Sequence, residues 1–166
     1  SGFWLWKPYF ILEELKKMND GDVLMYLDSG DWISLNPRKF LEEKMKTTDI
    51  LLTDGSAKNS DYCKRDCFIM MHCDFYEFYN CIQIEAGILV LKKTHFVINL
   101  ITEWLNYCKI SECVTDTPNT LGKNLLGFLD HRHDQSILTV LKFKYKLSSS
   151  REMRQYINCN YTPPKD

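Results

Sequence analysis

Five apolar residues, Val23-Leu24-Met25-Tyr26-Leu27, end abruptly on Asp28-Ser29-Gly30-Asp31. The run has the length and the β-branched and aromatic character of a buried strand. A strand covered on both faces belongs inside an α/β sheet, and such sheets bind ligands at the carboxyl ends of their strands. Two carboxylates and a glycine at that edge suit a hard cation, with a diphosphate close to the backbone. The same residue types also make an ordinary β-turn for purely conformational reasons.

The arrangement recurs. Asp49 to Thr53 reads as a second short strand ending on Asp54-Gly55-Ser56, and Ile88 to Leu91 as a third, buried strand behind Glu85-Ala86-Gly87. The small pair in that last segment lets a ligand or another backbone approach closely. Helices separate the strands. Pro8 opens a helix over Tyr9 to Met18, with Ile11, Leu12, Leu15 and Met18 at helical spacing. Lys7, beside that N-terminus, adds to the helix's positive end and suits an anion, although a solvated lysine is the ordinary case. Trp4 and Trp6 read as packing residues. Asn36-Pro37 starts a helix with Phe40, Leu41 and Met45 on one face.

Ala57 to Asp61 reads as a loop, and Asp61 to Tyr79 as mainly helical, with Lys64-Arg65-Asp66 on a solvated face. Thr94 caps a long helix with an apolar stripe of Phe96, Ile98, Ile101, Trp104 and Leu105. Residues 110–129 are irregular, and a loop of that length in a compact domain is usually functional or mobile. His131-Arg132-His133-Asp134-Gln135-Ser136 then opens a last helix, where Asp134 suits an N-cap. Ser148-Ser149-Ser150 marks a loop, and Tyr161 to Pro164 an extended or frayed end.

Composition narrows the function classes. At 166 residues and 45% hydrophobic, the chain suits one domain spanning 1–166. Its 21 Lys and Arg are interspersed with 22 Asp and Glu, which excludes the basic stripe of a nucleic-acid binder. No apolar run reaches the roughly 18 residues of a membrane helix, and no secretory signal is visible. Seven cysteines cannot all pair, and apolar neighbours around Cys73, Cys81 and Cys108 suggest free thiols in a reducing, cytoplasmic compartment. Cys63, Cys67, His72 and Cys73 are close enough in sequence to suggest zinc, but no second pair stands at zinc-finger spacing. Ser1-Gly2-Phe3-Trp4 reads as the middle of a structure, so an upstream part is expected.

Three pieces in order, Trp4 to Pro8 with Tyr26 to Gly30, then Ile84 to Ile88, then His133 to Leu138, resemble one family. It is a group of GT-A-fold nucleotide-sugar glycosyltransferases that includes virally encoded sugar transferases. The resemblance implies a Rossmann-like central mixed sheet flanked by helices, here lacking its N-terminal strands. It also implies a nucleotide-diphosphate sugar donor, a hydroxyl acceptor such as a carbohydrate, and Mn²⁺ or Mg²⁺. In that family an Asp-X-Asp motif at a strand end binds the metal and the donor diphosphate. Asp28 matches the first aspartate and Gly30 stands at the third position, so either Asp31, one residue later, substitutes as the second ligand or Asp28 coordinates with water alone.

Lys7, Asp28, Ser29, Gly30, Ala86, Gly87 and His133 are thereby expected at the donor, with Asp28 and Asp31 at the metal. An acceptor hydroxyl must lose its proton, and Asp134 is the first candidate base, with Glu85 second. Two other classes compete. A metal-dependent phosphohydrolase also uses a strand-end aspartate, but needs a second one two residues on, where Gly30 stands. A non-catalytic carbohydrate-binding or scaffold domain would keep the fold without the chemistry.

Overall fold

The computed structural model describes residues 2–159, so Tyr161 to Pro164 lie outside the described residues. Helix α1 (Trp6–Lys17) leads to strand β1 (Val23–Leu27), and the turn at Asp28 closes through Asp31 N–H donating to the Asp28 carbonyl at 2.9 Å. Strand β2 (Asp31–Ile33) and helix α2 (Arg38–Lys44) follow, with Asn36 Oδ1 accepting from Arg38 N–H at 3.0 Å. Strand β3 (Ile50–Lys58) is succeeded by short helices α3 (Asn59–Tyr62), α4 (Arg65–Met70) and α5 (Tyr76–Asn80). Strand β4 (Ile82–Lys92), helix α6 (His95–Cys108), helix α7 (Ser111–Val114) and helix α8 (His133–Lys144) complete the larger part. Strand β5 (Ser149–Ser150), a 3-10 helix (Glu152–Tyr156) and strand β6 (Ile157–Cys159) end the described chain. No helix among the described residues is long and apolar enough to cross a membrane.

The fold is α/β, with a mixed four-stranded sheet in the order β1-β4-β3-β5. β1 with β4 and β4 with β3 are antiparallel, and only β3 with β5 is parallel. A second, two-stranded sheet pairs β2 with β6. β1 has the expected residues but not the expected setting. It pairs only with β4 and is half-buried along most of its length, so it is an edge strand and not one covered on both faces.

The eleven-residue β4 is the axis. Ile84, Ala86, Leu89 and Leu91 enter the larger core, which α1, α6 and α8 cover. Ile88 and Val90 enter a smaller core on the other face, with Met45, Met153 and Ile157. The inward parity therefore changes between Ala86 and Leu89. Register agrees: Leu52 pairs with Leu89, whereas its neighbour Thr53 pairs with Glu85. The slack lies at Ala86-Gly87-Ile88, a bulge that re-aims side chains beside the strand end. Thr94 caps α6 as expected, accepting from Val97 N–H at 3.3 Å.

Other expectations need correction. β3 does not stop at Thr53 but runs on through Asp54-Gly55-Ser56 to Lys58, because β4 is long enough to pair with it across register shifts. The expected loop at Ala57 to Asp61 is therefore strand end and then α3. The helix expected over Asp61 to Tyr79 is broken into separate short helices. Ser149-Ser150 is a short strand in place of a loop. Lys64 and Asp66 are buried, not solvated. The Asp66 carboxylate accepts from the backbone N–H groups of Thr120, Leu121 and Gly122, and Lys64 Nζ donates to the carbonyls of Thr115 and Thr117. Both charges thus pin the irregular 115–131 segment, which explains how they tolerate burial.

All seven cysteines are unpaired, five of them in the core cluster, and burial pushes the Cys81 thiol up to about 11.

A methyl group on Gly55 would lie 2.8 Å from the Gln83 carbonyl oxygen, while one on Gly30 would meet open space. Gly55→Ala should therefore destabilise by roughly 1–3 kcal/mol through backbone displacement, and Gly30→Ala by much less. Urea denaturation of the two variants checks the difference.

Candidate functional site

The bulged strand, the end of β1 and the starts of α1 and α8 meet at one point, and Lys7 occupies it. Lys7 lies on the first turn of α1 and is 3% exposed, so it is not a solvated lysine. Its Nζ is 3.2 Å from Asp28 Oδ1, 3.2 Å from Asp134 Oδ2 and 3.3 Å from the Ala86 carbonyl oxygen. The ammonium therefore faces two carboxylates and a carbonyl, which is the reverse of an anion site. Tyr26, two residues before Asp28 and on the same face of β1, donates its hydroxyl to Asp28 Oδ1 at 2.7 Å. Burial above all, with that bond and the nearby Asp28 charge, pushes the Tyr26 pKa well above the usual phenol range.

Gly87 is where the small residue matters. A methyl group there would fall 2.8 Å from Asp28 Oδ2, and the Gly87 carbonyl accepts from Asp28 N–H at 2.9 Å. The close approach that Ala86-Gly87 permits is thus by Asp28 itself. Asp28 keeps one open side, its side chain being 42% exposed. Ser29 and Gly30 form the exposed turn beyond it.

Asp134 does not cap α8: Arg132 is the N-cap residue, and no side chain caps that helix end. The Asp134 carboxylate turns inward to Lys7 instead and is 4% exposed. Its Oδ2 is in ion-pair range of the ammonium yet has no aligned hydrogen-bond donor. Burial is the main cause that raises its carboxyl to about 6, against the opposing pull of Lys7. The backbone is held too, since Trp104 Nε1–H donates to the Asp134 carbonyl at 2.9 Å.

These groups open into a cleft of about 280 Å³, lined also by Trp4, Arg132, His133 and Gln135. His133 adopts a positive φ of 45° and stacks on Trp4 with ring centroids 5.0 Å apart. Its Nδ1 is 2.8 Å from the Val114 carbonyl, so Nδ1 carries the proton. His131 is structural: burial lowers it to about 3, and its neutral ring accepts from Lys64 N–H while facing the Cys113 carbonyl. A larger cavity of about 720 Å³ lies between β1 and α2, but its walls are mainly apolar and it holds none of the paired carboxylates.

Glu85 is not in this cleft. Ala86 points into the core under α8, so Glu85 faces the other way, where Arg154 of the 3-10 helix grips it at 2.7 Å from Nε. It lines a neighbouring cleft of about 260 Å³ that shares Arg132 and Gln135 with the first. Arg154 also faces Asp31 at 3.8 Å, and desolvation raises the Asp31 carboxyl. Arg154 was invisible in the sequence, because no local pattern ties residue 154 to residues 31 and 85. Tyr26 was detectable, since alternation along a strand puts residues 26 and 28 on one face.

The carboxylates do not fit a divalent cation. The space between Asp28 and Asp134 is filled by the Lys7 ammonium, and Asp31 is turned to Arg154. Among the described residues, no three His, Cys, Asp or Glu side chains come together as a ligand set.

A raised carboxyl has a definite signature in stability. Between its ordinary value near 3.8 and about 6, folded Asp134 retains a proton that the unfolded chain has released. Its contribution is therefore greatest at low pH and falls as pH rises through that window, by on the order of 2–3 kcal/mol. Asp134→Asn should remove this falling component, so the difference in stability between variant and wild type should shift in the variant's favour from pH 4 to pH 6. Urea denaturation across that range measures it.

No protein-family model, curated protein or solved structure matches this chain.

Proposed function

We propose that the protein is a GT-A-like glycosyltransferase that moves a sugar from a nucleotide diphosphate to a hydroxyl acceptor. The observation that carries the reading is Asp134: a buried carboxylate on the lining of a polar cleft, whose Oδ2 faces the Lys7 ammonium at 3.2 Å without an aligned hydrogen bond. A carboxyl raised to about 6 is ionised at neutral pH and basic enough to take a proton from an alcohol as the alcohol attacks. The ordered sequence resemblance points to the same residues.

The cleft's chemistry suits the sugar end of such a donor. Asp28, Asp130 and Asp134 outnumber Lys7 and Arg132, so with neutral imidazoles the lining carries a net charge of −1. Carboxylates accept sugar hydroxyls well, and the exposed Trp4 ring offers an apolar face to a pyranose. The acceptor oxygen attacks the anomeric carbon while its proton passes to Asp134. The bond from that carbon to the leaving phosphate oxygen breaks, and the diphosphate departs with the electron pair. Lys7 keeps Asp134 ionised before the step and remains paired with Asp28 after it. Direct displacement of this kind inverts the anomeric centre. Glu85, Arg132 and Gln135, in the adjoining cleft, form a polar wall for the acceptor.

A non-catalytic carbohydrate-binding domain uses the same cleft and is separated by turnover. A panel of sugar nucleotides screened by thermal shift identifies the donor, and transfer is then followed directly. Asp134→Asn should lower transfer by about 10²–10⁴ with donor binding retained. The wild-type kcat/KM should rise with pH through about 6, as Asp134 ionises. Transfer by folded Asp134→Asn within a few-fold of wild type would reject Asp134 as base, and carbohydrate binding without turnover would favour the binding domain.

A further inference from the structure

We propose that the Lys7 ammonium is the resident cation of this site, tethered in the position between Asp28 and Asp134 where the sequence resemblance leads one to expect a divalent metal. The proposal deepens the transferase reading, but its test uses the metal alone and holds whether or not any sugar nucleotide binds.

Four oxygens surround Nζ within 3.5 Å: both oxygens of Asp28, Oδ2 of Asp134 and the Ala86 carbonyl. They come from the end of β1, the first turn of α8 and the bulge of β4. Carboxylate and carbonyl oxygens converging from separate elements are the donor set of a hard cation, which binds at about 2.0–2.6 Å. Here the spacing of 3.2–3.5 Å is that of an ammonium. The Tyr26 hydroxyl, on Asp28 Oδ1, holds the carboxylate in register with that centre. Lys7 is covalently fixed on α1, whose Ile11, Leu12 and Leu15 are anchored in the core, so its Nζ is tethered at this point.

Two cations cannot share these oxygens. A divalent ion among them would stand within a few ångströms of Nζ in a buried, weakly screened setting, where repulsion is strong. Metal and Lys7 are therefore mutually exclusive, and removing the ammonium leaves two facing carboxylates that attract a metal. Lys7 acts as a positioning residue that lies between the two carboxylates and holds them apart.

The test is a titration with MnCl₂, followed by calorimetry and melting temperature, on the wild type, Lys7→Met and Lys7→Arg. The wild type and Lys7→Arg should bind no Mn²⁺ in the millimolar range and melt alike in EDTA and in Mn²⁺. Lys7→Met should bind Mn²⁺, and its Tm should rise by about 5–10 °C at a hundredfold excess over Kd. The double variant Lys7→Met/Asp28→Asn should lose that response. Saturable Mn²⁺ binding to the wild type that Asp28→Asn abolishes would overturn the proposal, as would a folded Lys7→Met with no greater response than the wild type. Where Lys7→Met is unfolded in EDTA, the titration is read as recovery of the far-ultraviolet signal, and no recovery likewise overturns it.

Discussion

A lysine ammonium buried between two carboxylates joins four elements of this molecule at one point. Lys7 comes from α1, Asp28 from the end of β1, the Ala86 carbonyl from the bulge of β4 and Asp134 from α8. Each charge is costly to bury alone, and their mutual attraction offsets the cost only when all are present with the right geometry. The cluster therefore specifies how two helices and two strands meet. It also leaves Asp134 Oδ2 in ion-pair range of the ammonium without an aligned hydrogen bond.

The bulge at Ala86-Gly87-Ile88 makes that meeting possible. An unbroken β4 would keep one set of alternate residues facing α8 from end to end. The change of parity lets Ala86 serve the core under the helices while Ile88 and Val90 serve the opposite core. It also brings Gly87 against Asp28, where any side chain would displace the carboxylate. Small residues at a strand end are thus needed here for packing between protein groups, whatever ligand the cleft takes.

Charge also organises the segment leading to the site. Residues 115–131 contain no helix or strand, yet Asp66 gathers three backbone N–H groups and Lys64 two carbonyls within it. His131 ties its end to Lys64 and faces the Cys113 carbonyl. Those bonds set the point from which α8 starts and so the direction in which Asp134 enters the cleft. Arg154 has a parallel role on the other side, where it draws the final described segment onto Glu85 and Asp31.

The sequence by itself determined the α/β class, the ends of β1 and the Thr94 cap of α6, because these depend on local periodicity, turn chemistry and capping. It also singled out Lys7, Asp28, Ala86, Gly87 and Asp134, since each stands at the end of a periodic run where polar and small residues interrupt an apolar pattern. Tertiary structure alone decided that β1 is an edge strand, that β3 continues past Gly55, and that Lys64 and Asp66 are buried. It alone separated Glu85 from Asp134 and gave Asp31 to Arg154. The ion pairs at the site join residues as far as 21 and 127 positions apart, as with Lys7 and Asp28 or Lys7 and Asp134. Such pairing depends on which oppositely charged groups the packed core brings to one point, and no local pattern encodes that.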